Sequence, residues 1–288
     1  MAELDATSLA AGEGEYLDPG YDPQTPDGDN LLLDFGRAER QLWTSWGATV
    51  GATVGGDEAA GATWVDAGSA SVFGNPVIWS RPVDAEGAAS LVRQQTDAFA
   101  ARPGGPYLVY SLFPTPDLRP LGLDPVGHPP CMVRVPELKD AGRPAPRDLH
   151  VQRVGTREQL DHFEQVLLEA YPVPDLLPWR RGAFVGPTLL DHPAWHVFVG
   201  YCDGVPVATA ASFVTDHVVD VTLVTCRPEY RGRGFGRAVT QAAGDVDPTK
   251  PAVLIASDDG QPVYRSMGFR SLTRFTLWIG HRSPSKRP

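Results

Sequence analysis

Lysine is almost missing from this chain, which carries only Lys139, Lys250 and Lys286, so arginine supplies nearly all of the positive charge. No segment gathers that charge into the basic stripe that binding a phosphate backbone requires, which argues against a nucleic-acid partner. Cysteine is equally scarce. Cys131, Cys202 and Cys226 are odd in number and widely spaced, so neither a disulfide framework nor a metal clip is expected. No apolar run approaches the ~20 residues that span a bilayer. The N-terminus also lacks a basic patch leading into an apolar stretch. A cytoplasmic protein with no membrane partner is the expectation.

The 288 residues, 42% of them hydrophobic, suffice for two domains of roughly 100–150 residues each. The net charge of −10 is unevenly placed: residues 1–30 hold eight carboxylates and no Lys or Arg. Such a segment buries too little apolar surface to offset its ordering entropy, so a disordered acidic tail is expected there. Beyond it, Phe35, Ala38 and Leu42 predict a helix over 34–46. Residues 72–79 read as a strand pair broken at Gly74-Asn75-Pro76. Asp84 is a plausible N-cap for a helix with Ala88, Leu91, Val92, Gln95 and Phe99 on one face. Strands are expected at 107–113 and 132–135, and a Pro- and Gly-containing linker at 137–148.

The second half opens with a strand at 149–154 and a Thr156-x-x-Gln159 capping box, ahead of a helix burying Leu160, Phe163, Leu167 and Ala170. Strands at 196–201 and 207–213 flank the turn signal Asp203-Gly204. A strand at 218–226, a helix at 232–243, a strand at 253–256, a short helix around Tyr264 and a strand at 273–279 follow. An ungapped offset of 146 residues lays Arg81-Pro82 on Arg227-Pro228 and Gly122 on Gly268. Predicted elements coincide along the way, which indicates a duplicated domain.

The segment with the most chemistry is Arg231-Gly232-Arg233-Gly234-Phe235-Gly236, between a buried strand and a helix. A Gly-rich turn at a helix N-terminus presents unpaired amides and partial positive charge to an anion, and Arg231 and Arg233 add full charges. The trailing Gly-Lys-Ser/Thr of a nucleotide-binding P-loop is lacking. Arg237 occupies the last place of a dinucleotide-binding G-x-G-x-x-G. What remains is Arg-x-x-Gly-x-Gly, and with it the sequence resembles the GNAT (N-acetyltransferase) superfamily. The strand Val224-Thr225-Cys226, Ser257, Tyr264 and the Met267-Gly268-Phe269 turn extend the resemblance over roughly 149–280.

The resemblance implies a tandem GNAT fold of the α/β (α+β) class, with mixed, mostly antiparallel sheets flanked by helices. It implies acetyl-CoA as cosubstrate, with a longer acyl-CoA open, and an amine of a small molecule or peptide as acceptor. Cofactor contacts are expected at Val224, Thr225, Cys226, Arg231, Gly232, Arg233, Gly234, Phe235, Gly236, Arg237, Ser257 and Tyr264. Tyr264 would protonate the departing thiolate. Asp220, on the strand face of Thr222 and Val224 by alternation, is the candidate base. His217 competes for that role, and many relatives have no dedicated base. Tyr171, Trp179 and Trp195 either line an acceptor pocket or fill a core. No metal is expected, since Pro193 keeps His192 and His196 off one regular helix.

At the repeat offset the first half has Ala85, Glu86 and Ala88 in place of Arg231, Gly232 and Gly234, and Leu118 in place of Tyr264. It therefore reads as a degenerate GNAT domain over 31–136, with a catalytic one over 149–281 and a tail at 282–288. The expected protein is a monomer or homodimer. A non-catalytic acyl-CoA-binding regulatory module is the alternative.

Overall fold

The computed structural model describes residues 30–138, 144–171 and 173–282. The expected acidic tail, apart from Asn30, lies outside them, as do the middle of the expected linker and residues 283–288. Asn30 caps α1 (Leu31–Thr49), its side-chain oxygen accepting from the amides of Leu32 and Leu33. The strands β1 (Thr53–Asp57) and β2 (Ala62–Asp66) follow. Sequence alternation did not reveal them, because Gly55 and Gly56 dilute the first and the second is buried on both faces. Residues 72–74 form a 3-10 turn rather than a strand, and β3 (Pro76–Trp79) starts after it. In α2 (Ala85–Ala100) Asp84 caps through Gly87, and the five residues read as its inner face are the buried ones. The half continues with β4 (Tyr107–Ser111), β5 (Leu123–Gly127) and β6 (Pro130–Arg134).

The second half comprises β7 (Leu149–Arg153), α3 (Arg157–Ala170), β8 (Trp195–Cys202), β9 (Val205–Val214) and β10 (Val219–Cys226). It continues with α4 (Phe235–Gly244), β11 (Ala252–Ile255), α5 (Gln261–Ser266), β12 (Arg270–Arg274) and β13 (Thr276–Gly280). The Thr156–Gln159 capping box forms. Asp203 and Gly204 both take the positive φ of a tight hairpin between β8 and β9. The strand expected at 273–279 is two strands broken at Phe275.

Two mixed sheets result, one ordered β1-β2-β3-β4-β13-β5 and the other β12-β6-β11-β10-β9-β8-β7. The halves therefore exchange a strand. β6, from the first half, lies between β11 and β12, and β13, from the second, lies between β4 and β5. A linear division at 136 and 149 separates the helices of the two halves but not their strands. The crossings are made by short links: a single residue joins β12 to β13, fewer than the two or so of a hairpin loop, and two residues join β5 to β6. The chain runs on, extended, into the other sheet. The two crossing links touch, with the Phe275 amide donating to the Pro129 carbonyl (3.0 Å) and Arg274 to that of His128 (2.6 Å). Both pairs lie 146 residues apart, so the links that touch are the ones the repeat offset matches.

Helix α1 packs against β2 and β3 on one side and β9 and β10 on the other. Its buried face accordingly includes Glu39, Trp43 and Trp46 besides the residues expected. The Trp46 indole donates to the Phe184 carbonyl (2.8 Å), and that of Trp195 donates to Ser45 (3.0 Å). Gly186 is needed at this seam, since a Cβ there would come within 1.8 Å of the Thr49 carbonyl oxygen.

Candidate active site

The parallel strands β10 and β11 pair at Val219–Ala252 and Asp220–Val253, where their shared register ends. On its other edge β10 pairs with β9, but the register shifts between Thr222 and Thr225. Leu223, at φ 52°, takes the left-handed conformation of a bulge. Its carbonyl accepts from Thr209 Oγ1 (3.0 Å), which also bonds the Thr225 hydroxyl. The sheet opens beyond Asp220 as a result. The bulge also breaks the alternation that placed Val224 on the face of Asp220, and Val221, Thr222, Leu223 and Val224 in succession all line the opening.

The opening is a cavity of about 280 Å³. On one wall stand Val224, Ala256, Ser257 and Tyr264; on the other stand Glu39, Trp43, Tyr110, Tyr171 and Phe184. The first wall belongs to the half that resembles an acetyltransferase, whereas Glu39, Trp43 and Tyr110 come from the first half. Tyr264 lies on α5 with its ring edge against Phe269 (centroids 6.0 Å apart). Burial pushes its phenol up to about 12, with Tyr171 adding to the effect. Ser257 Oγ accepts from the Gly260 amide (3.1 Å). Of the aromatic residues left open between pocket and core, Tyr171 lines the cavity. Trp179 donates to Glu164, and Trp195 is core.

Glu164 does not line the cavity but holds the segment that brings Phe184 to it. Buried on α3, its carboxylate accepts from the Trp179 indole and from the amides of Gly182, Phe184 and Val185, at 2.7–3.1 Å. Four donors on one carboxylate fold the segment around 179–185 back over the cavity.

The glycine turn lies at the end of the strand that opens. Gly232 and Gly234 take φ of 76° and 84°, and α4 starts at Phe235, so the amides of its first turn have no intrahelical partner, that of Gly236 being directed at the Cys226 thiol. Phe235 itself is buried, so its side chain serves the core and only its backbone faces the turn. Arg233 ion-pairs with Asp148 and lies over the Phe235 ring. Arg231 donates to the carbonyls of Cys226 (3.1 Å) and Ala170 (3.4 Å). Both arginines, expected as charges for a polyphosphate, therefore already have protein partners. Gly232, Gly234 and Arg237 border a second hollow of about 400 Å³ against Pro144 and Pro146. Burial pushes the Cys226 thiol up, against what a nucleophile needs.

The candidate bases fall in unexpected places. His217 is in the β9–β10 turn, bordering a different hollow between α1 and that turn. Asp220 is 1% exposed and does not line the cavity, and neither of its carboxyl oxygens has a hydrogen-bonding partner. Burial, and secondarily Glu39, pushes it well above the usual carboxylate range. Glu39 is also buried, but it lines the cavity and accepts from the Trp43 indole (3.0 Å). Burial raises it to about 7, against a smaller lowering by that bond. Cys131 on β6 feels both carboxyls, and burial pushes its thiol well up. Sequence reasoning missed Glu39, whose only signal was a carboxylate on the apolar face of a helix.

Residues 193–271 match the family model described as an acetyltransferase (GNAT) domain. No curated protein matches the chain. Among solved structures, a GCN5-related N-acetyltransferase from Kribbella flavida is similar over 89% of this chain and 97% of its own (TM-score 0.62, 20% identity). A conserved protein of unknown function from Staphylococcus epidermidis is similar over 74% and 87% (TM-score 0.59, 17% identity). A GCN5-related N-acetyltransferase from Sphaerobacter thermophilus is similar over 74% and 75% (TM-score 0.52, 16% identity). The likeness to the first spans both halves. No described helix is long and apolar enough to cross a membrane. The chain thus has the fold of the GNAT proteins it resembles, and residues 193–271 are the part that matches that family's domain model.

Proposed function

We propose that the protein transfers an acetyl group from acetyl-CoA to an amine by direct attack within a ternary complex. The observation that carries this reading is the continuity of the opened β10–β11 edge, with Tyr264 beside it, into the Gly232–Gly236 turn at the head of α4. In this reading the amides of the turn hold the diphosphate, and the freed main chain of Val224 holds the pantetheine arm. Backbone N–H groups on the interrupted strand polarise the thioester carbonyl. The amine nitrogen attacks that carbonyl, the C–S bond breaks as the C–N bond forms, and Tyr264 donates a hydrogen bond to the departing sulfur.

Titration calorimetry with acetyl-CoA, paired with a thiol-release assay, tests this function. One site per chain is expected, because Glu86 stands at the corresponding turn of the first half. Gly234→Glu should abolish binding and keep the fold. A Cβ at Gly234 meets nothing nearer than Pro146 Cγ at 3.5 Å, and a positive φ costs a non-glycine residue roughly 1–2 kcal/mol. Two equivalent sites, or unchanged affinity in the variant, would sink the assignment. Binding without turnover of any amine would leave a regulatory acyl-CoA-binding module.

A further inference from the structure

The cavity holds a chemical contradiction that a ligand would resolve. A carboxyl group buried without a cation is costly, and two lie together here. Glu39 on α1 is faced by Asp220 of β10, Tyr110 of β4, Tyr171 after α3 and Cys131 of β6, with Trp43 on its own helix. None of these neighbours is a base able to neutralise it, and no Lys, Arg or His is among the described residues lining the cavity. The rest of the wall on that side is aromatic or aliphatic: Trp43, Phe73, Tyr110, Tyr171 and Phe184. An aromatic wall with one carboxylate suits a cation on an apolar body. At about 280 Å³ the space is just below the ~300–1,000 Å³ usual for a ligand pocket, which favours a small ligand.

From this juxtaposition, and resting on the acetyltransferase reading above, we infer that the acceptor is a small primary amine with an apolar or aromatic body and no acidic group. Glu39, contributed by the half without a phosphate-binding turn, binds its ammonium group and takes its proton. Asp220 takes no part in the transfer: it stays protonated behind Glu39, because two adjacent carboxyls cannot both ionise cheaply. The balance is simple. R–NH₃⁺ gives one proton to the Glu39 carboxylate, and the neutral amine adds to the thioester carbonyl. As the C–S bond breaks, a second proton leaves nitrogen and arrives on sulfur. The products are the N-acetyl amine and free thiol, and Glu39 returns its proton to solvent. An α-carboxylate on the acceptor would be buried against these walls with no cation to meet it.

Matched pairs test this on the full chain: phenethylamine against phenylalanine and tryptamine against tryptophan, with thiol release followed from pH 5 to 10, a window of about five units around the reference range. The amines should exceed their amino acids by about 100-fold or more in kcat/KM, the scale on which a site rejects a polar group it leaves unpaired. Glu39→Gln should lower kcat/KM for the amines by about 10²–10⁴-fold and remove the acid limb of the profile, while acetyl-CoA affinity holds. Asp220→Asn, which keeps a neutral group behind Glu39, should leave that limb in place. If acetyl-CoA does not bind, the acetyltransferase reading itself fails. If it binds, the inference is overturned by any of three results. These are preference for the amino acids, no acetylation of either amine, or an acid limb that survives Glu39→Gln and vanishes in Asp220→Asn.

Discussion

A phenol pushed up to about 12 is a weak acid toward a thiolate whose conjugate acid titrates near ~8.5. Complete proton transfer from Tyr264 before the C–S bond breaks is therefore uphill. What the hydroxyl offers is a hydrogen bond that strengthens as charge gathers on sulfur, a benefit confined to the transition state. Bonds of that charge-assisted kind contribute about 1.5–3 kcal/mol, which predicts a roughly 10- to 100-fold loss of kcat in Tyr264→Phe at unchanged acetyl-CoA affinity. Steady-state kinetics with separate calorimetry check it, and a loss below about threefold would leave Tyr264 a packing residue. The sequence identified this residue by its place before the Met267-Gly268-Phe269 turn. It gave no hint of the shift, which arises from desolvation and from Tyr171.

The carboxylate of Glu164 organises a whole segment. Among its donors, the amides of Phe184 and Val185 are buried and would face the interior unpaired without it. Glu164→Ala should destabilise the protein by about 3 kcal/mol or more. The amides of Gly182, Phe184 and Val185 should lose their protection against hydrogen exchange well before the sheets do. Denaturant titration and exchange mass spectrometry read the two effects. Protection that stays intact at 182–185 would mean that the Trp46 bond to the Phe184 carbonyl holds the segment alone. At this scale the sequence was readable where elements are amphipathic and capped, as in α2 and α3. It failed at β1 and β5, whose glycine and proline content hides the strand pattern.

Across the whole molecule the exchanged strands make each half depend on the other. β6 is buried along its length inside the second sheet, and Arg134 at its end bonds Asp245 and the Gly244 carbonyl. On the other side Arg282, just past β13, is clasped by Asp66 and by the carbonyls of Phe99, Arg102 and Gly105. Fragments 30–136 and 144–288 should each fail to fold cooperatively when expressed alone, since each lacks an inner strand of its sheet. Co-expression should recover a one-to-one complex with acetyl-CoA affinity. A sharp thermal transition in either isolated fragment would show that the exchange is dispensable.

The sequence by itself singled out the repeat, the glycine turn and Tyr264, because each is a local pattern: a repeat offset, residues tolerant of positive φ, a fixed spacing before a turn. It could not determine which sheet β6 and β13 enter. Buried apolar strands carry no mark of their partner, and that choice is made where the two halves meet. Nor could it place Asp220 and Glu39. A bulge at Leu223 ended the alternation on which the first assignment rested. The second carboxylate reaches the cavity because α1 is packed between the two sheets, a contact between residues nearly two hundred positions apart that only the tertiary structure creates.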